Sequence, residues 1–249
     1  MLKFIFILLI LTTSASADQL FVAPNGSDAS QCDNANPCAT ISRACTVSNN
    51  SPDRRTSISV APGVYVQDSC NVFYHHLVGV VGDCNNHPQI VLAGNDVAFW
   101  GQDDVILTVQ CIDVWSTGYG SIAFASRQFT IIDVNFAKVG PLLNGTVLAA
   151  EEKSKINCGA QLTVAGSVAA IASAGDTSTI SLSCPIVFQG PVQVNYVVEA
   201  VQGSIINASA ATWFGSVTGQ QYYCNHSEID GAPSLPGSPG TAINYCVLQ

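Results

Sequence analysis

The sequence predicts an all-β protein: a single-stranded right-handed parallel β-helix, or solenoid, with a short N-terminal capping helix and a disulfide-tied C-terminal cap. Three observations carry that expectation. Helix signals are confined to one short stretch. Elsewhere short β-branched runs alternate with Gly/Asn/Ser/Asp turns. Five of those runs, Leu107–Val114, Phe129–Phe136, Ile156–Val164, Ile180–Phe188 and Ile205–Trp213, start 22, 27, 24 and 25 residues apart, the length of one solenoid coil.

The pattern within a coil supports the same fold. Leu107 and Val109 alternate inward, the phase slips at Gln110-Cys111, and Ile112 and Val114 alternate inward again. A strand that bends at a corner must show this, because side chains change face at every residue. Phe129 and Ile131, then Val134 and Phe136, read the same way around Ile132-Asp133. In the last three coils the corner is one residue longer, and the second inward pairs are Leu162 and Val164, Ile186 and Phe188, and Ala211 and Trp213. Leu107, Phe129, Ile156, Ile180 and Ile205 are therefore expected to pile in one column. Ile58–Val60, Leu77–Val81 and Ile90–Leu92 read as strands of earlier, less regular coils.

The elements follow in chain order. Lys3, the apolar run Phe4–Leu11 and Ala15-Ser16-Ala17 have the anatomy of a signal peptide over 1–17, with a mature start at Asp18. A single domain is expected over 18–249: a lead-in and cap (18–56), coils (57–216) and a C-terminal cap (217–249). In the first part, Ala39–Val47 reads as a helix with Ile41, Ala44 and Cys45 on one face and Thr40 or Ser42 as its cap. Both ends of a solenoid need covering; the helix suits one, and the Pro/Gly-rich stretch Gly231–Gly240, tied by Cys224 and Cys246, suits the other.

Ten cysteines behind a signal peptide, an even number, argue for disulfides. Cys32, Cys38, Cys45, Cys70, Cys84, Cys224 and Cys246 are the first assigned, with Cys70–Cys84 and Cys224–Cys246 as local pairs. A bridge closing a loop of that size adds on the order of 3 kcal/mol. No cysteine pair has zinc-finger spacing, so no metal site is expected.

Only 10% of residues are charged and the net charge is −9. Such a surface does not attract nucleic acid or anionic lipid. It disfavours polyanionic glycans unless calcium bridges the two, and leaves neutral glycans open. No later stretch is long and apolar enough to span a bilayer, so an extracellular product without membrane insertion is expected. Asn25-Gly-Ser27, Asn144-Gly-Thr146, Asn207-Ala-Ser209 and Asn225-His-Ser227 fit the N-glycosylation pattern.

Two stretches carry a resemblance. Phe21-Val-Ala-Pro-Asn-Gly-Ser-Asp28, Asn36-Pro-Cys-Ala-Thr-Ile-Ser-Arg-Ala44 and Ile58-Ser-Val-Ala-Pro-Gly-Val-Tyr65 resemble the opening of pectate-lyase-like β-helix proteins. There, an opening strand and turn lead to a capping helix and then to the first coil. Gly215-Ser-Val-Thr-Gly-Gln-Gln-Tyr222, with Ile229-Asp-Gly231 and Leu235-Pro-Gly237, is similar to the tail of bacterial and prophage-associated β-helix proteins, with Gln221 where those usually have Arg. The resemblance implies the fold and leaves the activity open.

Several chemistries occur on that fold. The polygalacturonase type needs clustered carboxylates; its Asn-Thr-Asp, Gly-His-Gly and Arg-Ile-Lys motifs are missing, and only the pair Asp103-Asp104 is reminiscent of it. The pectate lyase type needs calcium-binding carboxylates and a basic side chain as proton acceptor. Arg127 with Asp113 and Asp133 is the best such set, and calcium enters only on that reading. Pectin methylesterase motifs and Gly-x-Ser-x-Gly are absent. Adjacent His75 and His76 point to opposite faces of a strand and cannot share a metal. Trp100, Trp115 and Tyr119 are the candidate sugar-stacking platform, while Trp213 falls at a core position. The first functional reading is a secreted, non-catalytic β-helix that binds an extracellular polysaccharide or glycan. The alternatives are a polysaccharide lyase or glycoside hydrolase, and a structural or surface-interaction protein of phage-derived origin.

Overall fold

The computed structural model describes residues 18–249; the expected signal peptide, 1–17, lies outside the described residues. The chain winds into a parallel β-solenoid of about seven turns, with three strands in each regular turn. The first face stacks ten strands in chain order, from Asp18–Val22 through Ile106–Gln110 to Val247–Leu248. The second face includes Gln89–Leu92, Asp113–Ser116, Ala137–Val139 and Leu162–Ser167. The third includes Cys70–Phe73, Val97–Gln102, Ile122–Ser126, Thr146–Ala150 and Ala170–Ala174. The long strand Pro185–Val201 pairs with Leu162–Ser167 near its start and with Ala170–Ala174 near its end, which joins the two faces.

Parallel pairing in register stacks like on like. On the first face Val78, Leu107, Ile132, Ile156, Ile180, Ile206 and Ile229 form one inward column, all fully buried. Ile90, Val114, Val139, Val164 and Phe188 form another on the second face. On the third, Phe99 stacks on Phe124 with ring centroids 5.5 Å apart. Each side chain is covered above and below by the next turn, burial that one turn alone cannot supply.

Two members of the expected column are corrected. Phe129 is 62% exposed and Ile205 is 40% exposed; Ile132 and Ile206 take their places. The inward set of the Phe129 coil is Ile132 and Val134, then Ala137 and Val139, and Phe136 faces solvent. Both phases are apolar at the start of this segment, Phe129 and Ile131 in one and Ile132 and Val134 in the other, so period two does not choose between them there. The corner chooses: Gln128, Phe129 and Phe136 have positive φ, which removes them from the strand. Similarly, Trp213 rather than Ala211 pairs with Ile186, and its ring stacks on Phe188.

The corner from the third face to the first repeats one device. Two consecutive left-handed residues turn the chain at Tyr74-His75, Asp103-Asp104, Gln128-Phe129, Glu152-Lys153 and Asp176-Thr177. In non-glycine residues that backbone costs about 1–2 kcal/mol each. Hydrogen bonds between stacked corners offset it, such as His75 N–H to Asp103 O (3.0 Å) and Lys153 N–H to Asp176 O (3.0 Å). A buried hydroxyl follows in Thr130, Ser154, Ser178, Ser204 and Ser227. The hydroxyls of Ser154, Ser178 and Ser204 donate to the carbonyls of Ser126, Ala150 and Ala174, pairing buried acceptors at each turn.

The helix forms at Ile41–Asn49, capped by Thr40, whose hydroxyl accepts from the Arg43 N–H at 3.1 Å. Ile41, Ala44 and Cys45 are buried, as their spacing predicts. Asp68 reaches back from the first turn and accepts from the Ile41 and Ser42 N–H groups at 2.6 and 2.8 Å, so the helix is fastened to the coil beneath it. At the other end, the strands Val217–Asn225, Glu228–Asp230, Thr241–Ile243 and Val247–Leu248 continue the parallel ladders, and the Pro/Gly-rich stretch holds a single turn of 3₁₀-helix at Ala232–Ser234.

The disulfides are Cys32–Cys38, Cys45–Cys70, Cys84–Cys111, Cys158–Cys184 and Cys224–Cys246. The last is the expected pair; the Cys70–Cys84 pairing is corrected. Cys70 lies on the third face and Cys84 in the loop after the first-face strand Leu77–Gly82, so they sit on different sides of the solenoid. Four bridges span 25, 27, 26 and 22 residues, one coil each, because stacking brings residues one coil apart face to face.

The observed phase has a measurable consequence. Ile132→Ala is expected to lower stability by about 2–5 kcal/mol, and Phe129→Ala by about 0.5 kcal/mol or less. Urea unfolding midpoints at unchanged slope decide this; the reverse order would mean that Phe129 is the inward residue.

Candidate functional site

A solenoid this tight keeps its interior for packing, so any site must be built from outward residues. One such concavity, of about 670 Å³, lies on the third face near the end of the solenoid that carries the helix. The strand Cys70–Phe73 supplies Asn71 and Phe73, and the next strand places Trp100 beside Asn71 and Gln102 beside Phe73. Asn95 and Asp96 come from the corner between the second and third faces, and Gln67 and Asp68 from the corner below the helix.

Trp100 is half-buried, and its indole N–H donates to Gln102 Oε1 at 3.3 Å. The Gln102 amide donates in turn to Gln128 Oε1 at 2.9 Å. The Arg127 guanidinium lies 5.8 Å from the centre of the Trp100 ring. Arg127 also pairs with Glu151 at 3.2 Å and Glu152 at 2.8 Å. The aromatic ring is thus oriented by a short polar chain, and the nearby cation is matched by two carboxylates. Asp68 belongs to the scaffold: burial raises its carboxyl above the usual range, while the Ile41, Ser42 and Ser69 N–H groups act the other way. Burial pushes the neighbouring Tyr65 phenol up to about 12, with the Asp68 charge adding to the shift.

The candidates from the sequence scatter over different sides. Asp103 and Asp104 form a left-handed corner, where the Asp104 carboxylate meets His75 at 3.0 Å on the surface. Asp113 lies on the second face, nearly buried, 2.7 Å from His87 Nδ1. Asp133 lies on the first face and accepts from the Asn157 amide at 2.7 Å. Arg127 shares none of these contacts. Trp115 is on the second face with the Lys138 ammonium 5.1 Å from its ring centre, and Tyr119 is 65% exposed at the next corner. Of the three candidate aromatics, Trp100 alone lines the cleft. Sequence reasoning missed Asn71, Asp96, Gln102, Glu151 and Glu152. The coil period was the available signal: Asn71, Trp100 and Ala125 occupy one outward row on successive turns.

A second, smaller pocket of about 260 Å³ holds the His87–Asp113 pair with Lys138 and Thr163. Asp113, Lys138 and Thr163 stand in one outward row on three successive turns. His87 arrives from a loop that the Cys84–Cys111 bridge already fastens to that corner.

No protein-family model, curated protein or solved structure matches the chain. The solenoid implied by the resemblance is therefore established by the structure itself. Five disulfides place the chain in an oxidising environment. Among the described residues no helix is long and apolar enough to cross a membrane, and no three His, Cys, Asp or Glu gather as metal ligands.

His76 follows His75 at the same corner and is 6% exposed. Burial first, then the charges of Arg54 and His75, lowers its pKa below the ordinary 6.5. The unfolded chain therefore takes up a proton before the folded one as pH falls. The stability from neutral His76 is present above pH 6.5 and is lost as pH drops through the lowered folded value. The melting temperature should fall between pH 7.5 and pH 5, and His76→Gln should flatten that dependence. An unchanged slope in the variant would show that His76 is not the titrating group.

Proposed function

We propose that the chain is an exported, non-catalytic β-solenoid that binds a neutral glycan in the third-face cleft. The observation that carries this reading is Trp100 held among the planar amides of Asn71 and Gln102 in a cleft of about 670 Å³. A pyranose presents an apolar C–H face and a rim of hydroxyls. An aromatic ring matches the first, and amides, which donate and accept, together with carboxylates, which accept, match the second. The net charge of −9 and the pairing of Arg127 with two glutamates favour an uncharged ligand over a polyuronate. The dispersal of Asp103, Asp113 and Asp133 over different sides supports the non-catalytic reading, because glycoside hydrolysis needs two carboxylates across one bond.

One observation favours the enzymatic alternative. The nearly buried Asp113 orients His87 in the second pocket, an arrangement suited to general acid–base work. Release of unsaturated or reducing sugar ends that disappears in His87→Gln would move the assignment to a lyase or hydrolase on this fold. The third reading, a surface-interaction protein like the prophage-associated group, rests on the tail motif alone.

The binding reading is tested by retention on immobilised neutral polysaccharides. Trp100→Ala should weaken retention about tenfold or more, a loss of about 1.4 kcal/mol, with unchanged circular dichroism. Trp115→Ala and Tyr119→Ala should retain like the parent. Equal retention of all three variants, or no retention of the parent, would overturn the assignment.

A further inference from the structure

We infer that Asn25 and Asn144 are acceptor sites for N-linked oligosaccharide, whereas Asn49, Asn207 and Asn225 remain bare. The inference rests on the export part of the proposed reading and is independent of the cleft. Five Asn-x-Ser/Thr triplets occur in the described chain, at Asn25, Asn49, Asn144, Asn207 and Asn225. Such triplets are common in Asn/Ser-rich sequences, so the triplet alone decides nothing. The fold separates them.

Asn25 is exposed in the turn Ala23–Gly26, closed by the Gly26 N–H to Ala23 O bond at 2.9 Å, and its amide has no partner among the described residues. The backbone is anchored behind it: a Cβ on Gly26 would collide with the Cys38 carbonyl oxygen. Asn144 is also exposed, at the corner between the second and third faces, with a left-handed backbone at φ 50°. Gly145 behind it is buried, with room for no side chain against the Ser121 carbonyl. Both asparagines therefore crown turns whose following glycine is pressed into the body.

The other three are built into it. Asn49, at the helix C-terminus, is half-buried; its Nδ2 donates to the Asn71 carbonyl at 2.7 Å and its Oδ1 accepts from the Phe73 N–H at 3.2 Å, while the Ser51 hydroxyl of its triplet donates to Asp18. Asn207 is half-buried in the first face, between Ser181 and Asp230 on the adjoining turns, and its Oδ1 accepts from the Ser209 N–H at 3.2 Å and hydroxyl at 2.9 Å. Asn225 is half-buried at a strand end, and its Oδ1 accepts from the Asn244 amide at 3.1 Å. The Ser227 hydroxyl of that triplet is committed to the Asn225 carbonyl at 3.0 Å. A sugar on Asn225 would separate the last turn from the one before it, which the Cys224–Cys246 bridge holds together.

The chemistry needs one co-reactant, a lipid-linked oligosaccharyl pyrophosphate. The Asn Nδ2–H bond breaks, Nδ2 forms a bond to the anomeric carbon, and the bond from that carbon to the pyrophosphate oxygen breaks; the proton leaves with the lipid pyrophosphate. Attachment at Asn144 also has a physical use. Leu143, 48% exposed, and Tyr119, 65% exposed, are bridged across neighbouring turns beside it, and an oligosaccharide there shields that apolar corner. Neither Asn25 nor Asn144 lines the Trp100 cleft.

The full chain, secreted from a eukaryotic host, is treated with peptide N-glycosidase and mapped by mass spectrometry for Asn-to-Asp conversion. Two oligosaccharides are expected, at Asn25 and Asn144. Ser27→Ala and Thr146→Ala should each remove one, and the double variant should show no mobility shift while retaining the parent's behaviour on polysaccharide. Asn144→Asp, which tolerates the left-handed backbone, repeats the test if Thr146→Ala is poorly secreted. Conversion at Asn49, Asn207 or Asn225, a shift that persists in the double variant, or an unmodified parent would overturn the assignment.

Discussion

Everything in this molecule follows from the vertical stacking of inward aliphatic side chains between turns about 4.8 Å apart. Ile132, Ile156, Ile180 and Ile206 lie in register on consecutive rungs, and each is sealed by its neighbours rather than by a separate layer. The column sets the length of a turn, because the chain must return to the same lateral position before the next aliphatic residue arrives. Where the return is longer, as between Val78 and Leu107, the surplus becomes a loop, and the Cys84–Cys111 bridge fastens that loop to the corner above.

The corners carry the energetic burden of that regularity. A tight turn between faces puts non-glycine residues into left-handed backbone and strands carbonyl groups inside. The solenoid answers both with stacking: corner backbones hydrogen-bond to corners, and a column of serine hydroxyls meets the buried carbonyls. The pattern is visible along the chain as Thr130-Ile-Ile132, Ser154-Lys-Ile156, Ser178-Thr-Ile180, Ser204-Ile-Ile206 and Ser227-Glu-Ile229. A hydroxyl residue two before the column residue marks the true phase, and in the second coil it selects Ile132 over Phe129.

With the interior spoken for, recognition falls to outward rows and corners. The helix rests over the first turn, Asp68 ties it there, and Asp68 also lines the concavity that holds Trp100. Residues far apart in sequence meet in it because one turn separates neighbours: Asn71 and Trp100 are 29 positions apart and adjacent in the sheet. The same geometry parts residues that look close. Asp103, Asp113 and Asp133 lie within 30 positions of one another, yet sit at a corner, on the second face and on the first.

The amino-acid order by itself determined the architecture, the helix, the Cys224–Cys246 bridge and the abundance of disulfides, because these depend on local alternation, coil length and cysteine count; the structure chose Thr40 over Ser42 as the helix cap. The remaining bridges were also within reach, since Cys45–Cys70, Cys84–Cys111 and Cys158–Cys184 are one coil apart. Only the tertiary structure decided which of two apolar phases faces inward at Phe129, because that choice depends on which residues adopt left-handed corner backbone. Only it separated Trp115 and Tyr119 from Trp100 and gathered Asn71 and Gln102 around that ring. An outward side chain has no burial pattern to betray its neighbours; they are set by the register of turns and the width of each corner, which exist only once the turns are stacked.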